Sequence, residues 1–244
     1  LVGSEMCIRD SDTIVEAVLK KLFDWDMLIE EDNGVFKITR LGMVSATLYY
    51  FPSDINHWAR GFSIISKNDL WNSDLALSYV LGNTPTMALG YIPAAERETV
   101  ADYSDHVRSI WPYPSVQQSV MSYKLYELLS QGDKSPLIRG FQNDIERITQ
   151  ALTWIDGIKY WKKPAFWKAL PIRIRYGVGQ ELAMLCELPG VGAVRAKRLY
   201  TEGITSLQDV IHKPDTTIRV LGKATGNKAV SHAKHYLRVN QDDE

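Results

Sequence analysis

Apolar residues recur at helical spacing along most of this chain, and they divide it into short elements. Asp12–Phe23 places Ile14, Val15, Val18, Leu19 and Leu22 on one face, the three-and-four spacing of an amphipathic helix. Met27–Ile29 and Val35–Thr39 read as two short strands joined through Asn33-Gly34, a pair that takes positive φ at low cost. Thr39 then reads as the cap of a helix to about Leu48. Residues 55–135 read as helices with capped starts. Asn68 or Ser66 opens one that ends near Gly82, Pro93 begins the next, to about Ile110, and Ser115 opens a third, to about Ser130, after the break Trp111-Pro112-Tyr113-Pro114. Asn143 with Glu146 reads as a capping box, opening a helix to about Tyr160 whose inner stripe is Ile145, Ile148, Leu152 and Ile155. Trp161–Pro171 reads as a linker with aromatic anchors, its tryptophans packing rather than binding. Ser206–Ile211 and a stretch ending near Val239 supply the last predicted helices. The fold class expected from this pattern is mostly α.

Two places carry chemistry that the pattern alone does not require. In Leu185–Tyr200, an apolar turn meets Pro189, then Gly190-Val191-Gly192, then a helix with Ala196 and Leu199 inside and Arg195, Lys197 and Arg198 outside. Loop amides at a helix start form an anion site, and the basic residues that follow point to a nucleic-acid phosphate. The spacing resembles the helix-hairpin-helix motif of DNA repair proteins; the plain reading is a glycine-containing helix–helix turn with solvated charges. Val220–Ala229, which includes Lys223, resembles a second, degraded hairpin. The other place is the helix from Asn143. Arg147 and Trp154 share a face about 130° from its apolar stripe. They read either as a stacking pair for unpaired bases, worth about 1–3 kcal/mol per base for an aromatic ring, or, for Trp154, as packing against a neighbouring domain.

Charge sharpens the picture. Net charge is −1, which alone argues against a strongly basic DNA-coating protein. From Lys168 to Asn240, however, 12 Lys and Arg face 5 Asp and Glu, a local +7 that contains the hairpin. Two cysteines, Cys7 and Cys186, give no disulfide framework and fit a reducing, intracellular setting. No run of about 18 apolar residues could span a membrane.

Three segments point the same way. Leu28–Pro52 resembles the wing and exit helix, Asn143–Ile155 the ratchet helix, and Ile172–Ile204 the C-terminal helix-hairpin-helix domain of the archaeal, fork-remodelling Ski-two-like branch of superfamily-two DNA helicases, relatives of the polymerase-theta helicase. The resemblance implies a partial winged helix over 12–54, a helical ratchet domain over 55–167, a helix-hairpin-helix DNA-binding domain over 168–240 and an acidic tail over 241–244. It implies that Arg147 and Trp154 stack on a translocating single strand. It also implies that Gly190, Val191, Gly192, Arg195, Lys197, Arg198 and Lys223 lie at the strand-gripping hairpins. The function implied is DNA binding and coupling to 3′–5′ translocation at forks, in an intracellular, nucleoid-associated protein. Its partners would be single-stranded or forked DNA and the helicase's own motor domains. A helix-hairpin-helix interaction scaffold and a free-standing DNA-binding protein are the alternatives.

Other chemistry is not expected. Gly222–Lys228 has the wrong spacing for a phosphate-binding Walker loop, and no strand precedes it. The resemblance implies that ATP and Mg²⁺ belong to motor domains absent from this chain, which is expected to carry no catalytic residues of its own. A base-excision glycosylase of lyase type would need Lys where Val194 stands. His232 and His235 lack further ligands for a metal site. Leu1–Ser11 resembles a translated sequencing-adapter read rather than protein, so the chain is expected to be the C-terminal piece of something longer; the alternative is a disordered natural N-terminus.

Overall fold

A computed structural model of the chain describes residues 2–32, 34–87, 92–111 and 120–239. It is mostly α. Helix α1 (Val2–Asp24) leads into β1 (Leu28–Glu30), which pairs antiparallel with β2 (Phe36–Ile38), Leu28 opposite Ile38. Thr39 caps α2 (Arg40–Leu48) as its sequence predicts: its hydroxyl accepts from Gly42 N–H at 3.0 Å and donates to the Asp26 carbonyl at 2.6 Å.

A helical bundle follows. It contains α3 (Pro52–Lys67), α4 (Asp74–Gly82), α5 (Arg97–Ile110), α6 (Val120–Gln131), α7 (Arg139–Lys159) and α8 (Pro164–Tyr176). Two starts differ from those predicted. Asn68 does not open a helix; its amide closes α3 by donating to the Ile64 carbonyl at 2.9 Å, and Ser73 caps α4 instead. Likewise α7 begins at Arg139, behind a short 3-10 turn capped by Ser135. Asn143 and Glu146 therefore lie inside α7, where Glu146 pairs with Arg175 at 2.6 Å rather than capping. Ser115, Pro112–Pro114 and the acidic tail lie outside the described residues.

The stretch read as a linker is mostly helix α8. Asp156, buried near the end of α7, accepts from Lys162 N–H, Lys163 N–H and the Trp167 indole at 2.7, 2.9 and 2.6 Å. Three donors on one carboxylate fold the chain back tightly, and Pro164 starts the new helix where its missing N–H costs nothing. Trp161 and Trp167 then pack with Phe62 and Trp71 in an aromatic cluster, with Phe62 to Trp167 at 5.0 Å. Helices α4 and α6 cross so closely that a Cβ on Gly82 would sit 2.2 Å from the Ser122 Cα.

The remaining helices are α9 (Gln180–Cys186), α10 (Ala193–Thr201), α11 (Leu207–His212), α12 (Pro214–Leu221) and α13 (Lys223–Val239). They build a second core. The first core runs from Met27 to Ile174 and the second from Val178 to Ala233, so the boundary expected at 167/168 falls inside α8. Arg173, on α8, ties the two: it is 1% exposed, ion-pairs with Asp74 of α4 and donates to the Gln180 side chain at 3.3 Å.

Candidate nucleic-acid interface

Helix α7 buries Phe141, Ile145, Ile148, Leu152 and Ile155 against the bundle. Its opposite face is an exposed stripe at alternating spacings of three and four: Gly140, Asn143, Arg147, Gln150, Trp154 and Gly157. Trp154 is 41% exposed, so it stands off the core as its place in the sequence predicts. The Arg147 guanidinium lies over the Tyr50 ring at 4.7 Å from the centroid. Tyr50 is itself buried edge-on against Trp58 at 4.9 Å. Burial pushes the Tyr50 hydroxyl above its ordinary range, although the Arg147 charge opposes that rise. Arg147 is thus held from beneath by a packed ring, leaving its position on the outer face fixed. Sequence reasoning does not single out Tyr50. The signal it offers is the aromatic run Tyr49-Tyr50-Phe51 before Pro52, whose outer members are 88% and 66% exposed.

The Leu185–Tyr200 turn is assembled by its apolar positions. Leu182, Leu185, Leu188, Val191, Ala196 and Leu199 are all buried. Gly190 has φ +75°, which strains any residue with a side chain, and a Cβ there would also press on the Thr225 methyl at 3.2 Å. That proximity places the first turn of α13, which begins at Lys223, beside the hairpin. Gly222, with φ +83°, is the whole connection between α12 and α13, so the second turn is reduced to one residue.

The individual site residues then separate by role. Val191 belongs to the core: its side chain is 2% exposed and its N–H donates to the Leu188 carbonyl at 2.9 Å. Arg195 braces the loop, donating to the Gly190 carbonyl at 2.6 Å. Gly192 caps α10 with no side-chain acceptor for the first-turn amides. Gly190, Gly192, Arg195 and Lys223 therefore gather at one end of the second core. Lys197 and Arg198 lie further along α10 and, with Arg219 of α12, line a separate notch.

Among the described residues there is no group of three His, Cys, Asp or Glu able to hold a metal ion, and no helix long and apolar enough to cross a membrane. A further grouping of ionisable residues is Glu96, Lys124 and Glu127, with Tyr123. Lys124 and Glu127 are largely covered, at 13% and 16% side-chain exposure. They ion-pair at 2.8 Å, and Lys124 also reaches Glu96 at 3.0 Å.

By its similarities to known proteins, the chain is related to DNA helicases. The chain is similar to curated proteins named ATP-dependent DNA helicase Hel308 from several archaea. It is 26% identical to that of Methanocella arvoryzae, 27% to that of Thermococcus kodakarensis and 37% to that of Methanococcus vannielii. These matches cover 81%, 81% and 80% of this chain but only 30%, 19% and 29% of the relatives' length. No protein-family model matches the chain.

Proposed function

We propose that this chain is the DNA-binding and translocation-coupling region of an ATP-dependent 3′–5′ DNA helicase that acts on forked DNA. The observation that carries the reading is the exposed stripe of α7, with Arg147 fixed over Tyr50 and Trp154 two turns further along the same face. A guanidinium plane and an indole at this spacing offer successive stacking surfaces to unpaired bases, a mode that tolerates any sequence. At Gly140 and Gly157, the ends of the stripe, a side-chain methyl would find no atom within 4 Å, which leaves room for a strand to pass. The hairpin end, with Gly192, Arg195 and Lys223, would hold the strand by its phosphates.

In this reading the α1–β1–β2–α2 unit is the back half of a winged helix, α3–α8 the ratchet bundle and α9–α13 the helix-hairpin-helix domain. ATP and Mg²⁺ act in motor domains of the same polypeptide. The exposed apolar residues Ile14, Val15 and Val18 of α1, with Phe36 and Ile38 of β2, offer those domains a surface to dock on.

The test has two arms. Fluorescence anisotropy of the chain with forked DNA and with oligo-dT at about 50 and 200 mM salt should show binding that weakens steeply with salt. In the intact helicase, Arg147→Ala combined with Trp154→Ala should leave ATP hydrolysis but abolish unwinding. Salt-insensitive or absent binding would favour an interaction scaffold, and normal unwinding by the double variant would end the ratchet assignment.

A further inference from the structure

Lys197, Arg198, Thr201 and Glu202 on and just beyond α10 face Arg219 and Val220 on α12 across an open notch of about 370 Å³. Its residues include three cations, one hydroxyl-bearing side chain and one carboxylate. The carboxylate is already engaged: Glu202 and Arg219 pair at 2.7 Å, with side chains 42% and 67% exposed. At such exposure the pair is worth little. A fourth cation stands close by, because Lys213 donates to the Gly203 carbonyl at 2.8 Å, one residue beyond Glu202. The notch is separate from the hairpin end, where Arg195 is occupied with the Gly190 carbonyl.

We infer that this notch is a second phosphate site of the nucleic-acid surface, and that Glu202 occupies it as an internal competitor. The inference rests on the proposal that the hairpin module binds DNA. Its substance is different: a phosphodiester would displace Glu202 from Arg219 and be held by Arg219, Arg198 and Lys197 together. A guanidinium fork matches two phosphate oxygens as well as it matches a carboxylate, so the exchange costs Arg219 little. A strand that reached the notch from the hairpin end would run along α10, and the helix would contact it at both ends.

The competitor makes a prediction that simple charge attraction does not. Removing the carboxylate should tighten binding, but only while Arg219 is present to be released. Affinity for fluorescein-labelled oligo-dT would be measured by anisotropy on the full chain at about 50 and 200 mM salt. Glu202→Gln should tighten binding about threefold, and Arg219→Ala should weaken it about threefold or more and lower the salt slope by about 0.7, the value for one single-strand phosphate contact. In the Arg219→Ala background, Glu202→Gln should give no gain, a non-additivity diagnostic of direct coupling. Asp215→Asn, which removes an exposed carboxylate elsewhere on α12, controls for net charge. The proposal is overturned if Glu202→Gln gives no gain, or if its gain equals that of Asp215→Asn and survives in Arg219→Ala. In that case, weakening by Lys223→Ala or Trp154→Ala would leave the broader DNA-binding reading standing. If the chain shows no salt-sensitive binding at all, both fall together.

Discussion

The side chains that do most to define this molecule are polar groups inside it. Arg173 is a guanidinium in a nearly dry position, and desolvation holds its pKa below the usual arginine value while Asp74 opposes that fall. Removing one partner of such a pair leaves the other charge buried and alone, which costs about 3–5 kcal/mol. Asp74→Ala is therefore expected to lower the urea midpoint strongly, whereas Arg173→Met, which removes the buried charge itself, should cost less. Asp209 is the opposite case, an exposed carboxylate. Its Oδ2 accepts from the N–H and hydroxyl of both Thr205 and Ser206, which holds its pKa down at about 2. A depressed carboxylate stabilises the fold fully above its unfolded value near 4, and loses that contribution as pH falls through about 2. Acid unfolding curves of the native chain and of Asp209→Asn should therefore differ at neutral pH and converge toward pH 2. Ser206-x-x-Asp209 is the local signature of a capping box, but nothing in the sequence singles out Arg173 among many basic residues. Burial is set by the pairing of Asp74 with Arg173, 99 positions apart, and no local pattern encodes such a distance.

At the scale of elements, the sequence is legible where the answer is local. Thr39 as a cap, the strand pair and the apolar stripe of α7 all follow from residues within a few positions of one another. Local pattern misleads where a tertiary contact decides a boundary. Asn68 has a capping side chain, yet it closes α3 because its amide finds the Ile64 carbonyl. Trp161–Pro171 has the prolines and aromatics of a linker, yet the carboxylate of Asp156 folds it into a helix start. For the candidate site, the outward position of Trp154 is predictable from a helical wheel, while the Tyr50 ring beneath Arg147 is not. Glycines in helices test the same distinction between local and tertiary control. Gly157 lies in open space inside α7, so Gly157→Ala should stabilise by up to about 1 kcal/mol through helix propensity. Gly82→Ala should destabilise despite the same propensity gain, because its methyl would meet the Ser122 backbone. Thermal melts of the two variants are expected to move in opposite directions.

At the scale of the whole molecule, the question is whether two cores make one folding unit. The second core is built from about sixty residues, a size at which a lone module is marginal. What it gains from the bundle is specific. Helix α8 continues from one core to the edge of the other, and Gln142 of α7 donates to the Ile174 carbonyl at 2.9 Å. Arg173 anchors to Asp74, and Lys168 reaches the Tyr236 hydroxyl near the end of α13 while lying over its ring at 4.7 Å. These ties should make the cores unfold together, and the placement of the probes allows it to be checked. All seven tryptophans lie between Trp25 and Trp167, so their fluorescence reports the bundle. Cys186 is buried in the second core, where burial raises its thiol to about 11, and its labelling by a thiol reagent reports opening of that core. With Cys7→Ser removing the other thiol, the two probes should give one urea midpoint in the native chain. In Asp74→Ala, thiol labelling should move to lower urea than the fluorescence change, because that substitution cuts the anchor between the cores. If the midpoints already differ in the native chain, α8 is a flexible tether, and a stacking stripe on α7 could not pass its register to the hairpins through a rigid connection.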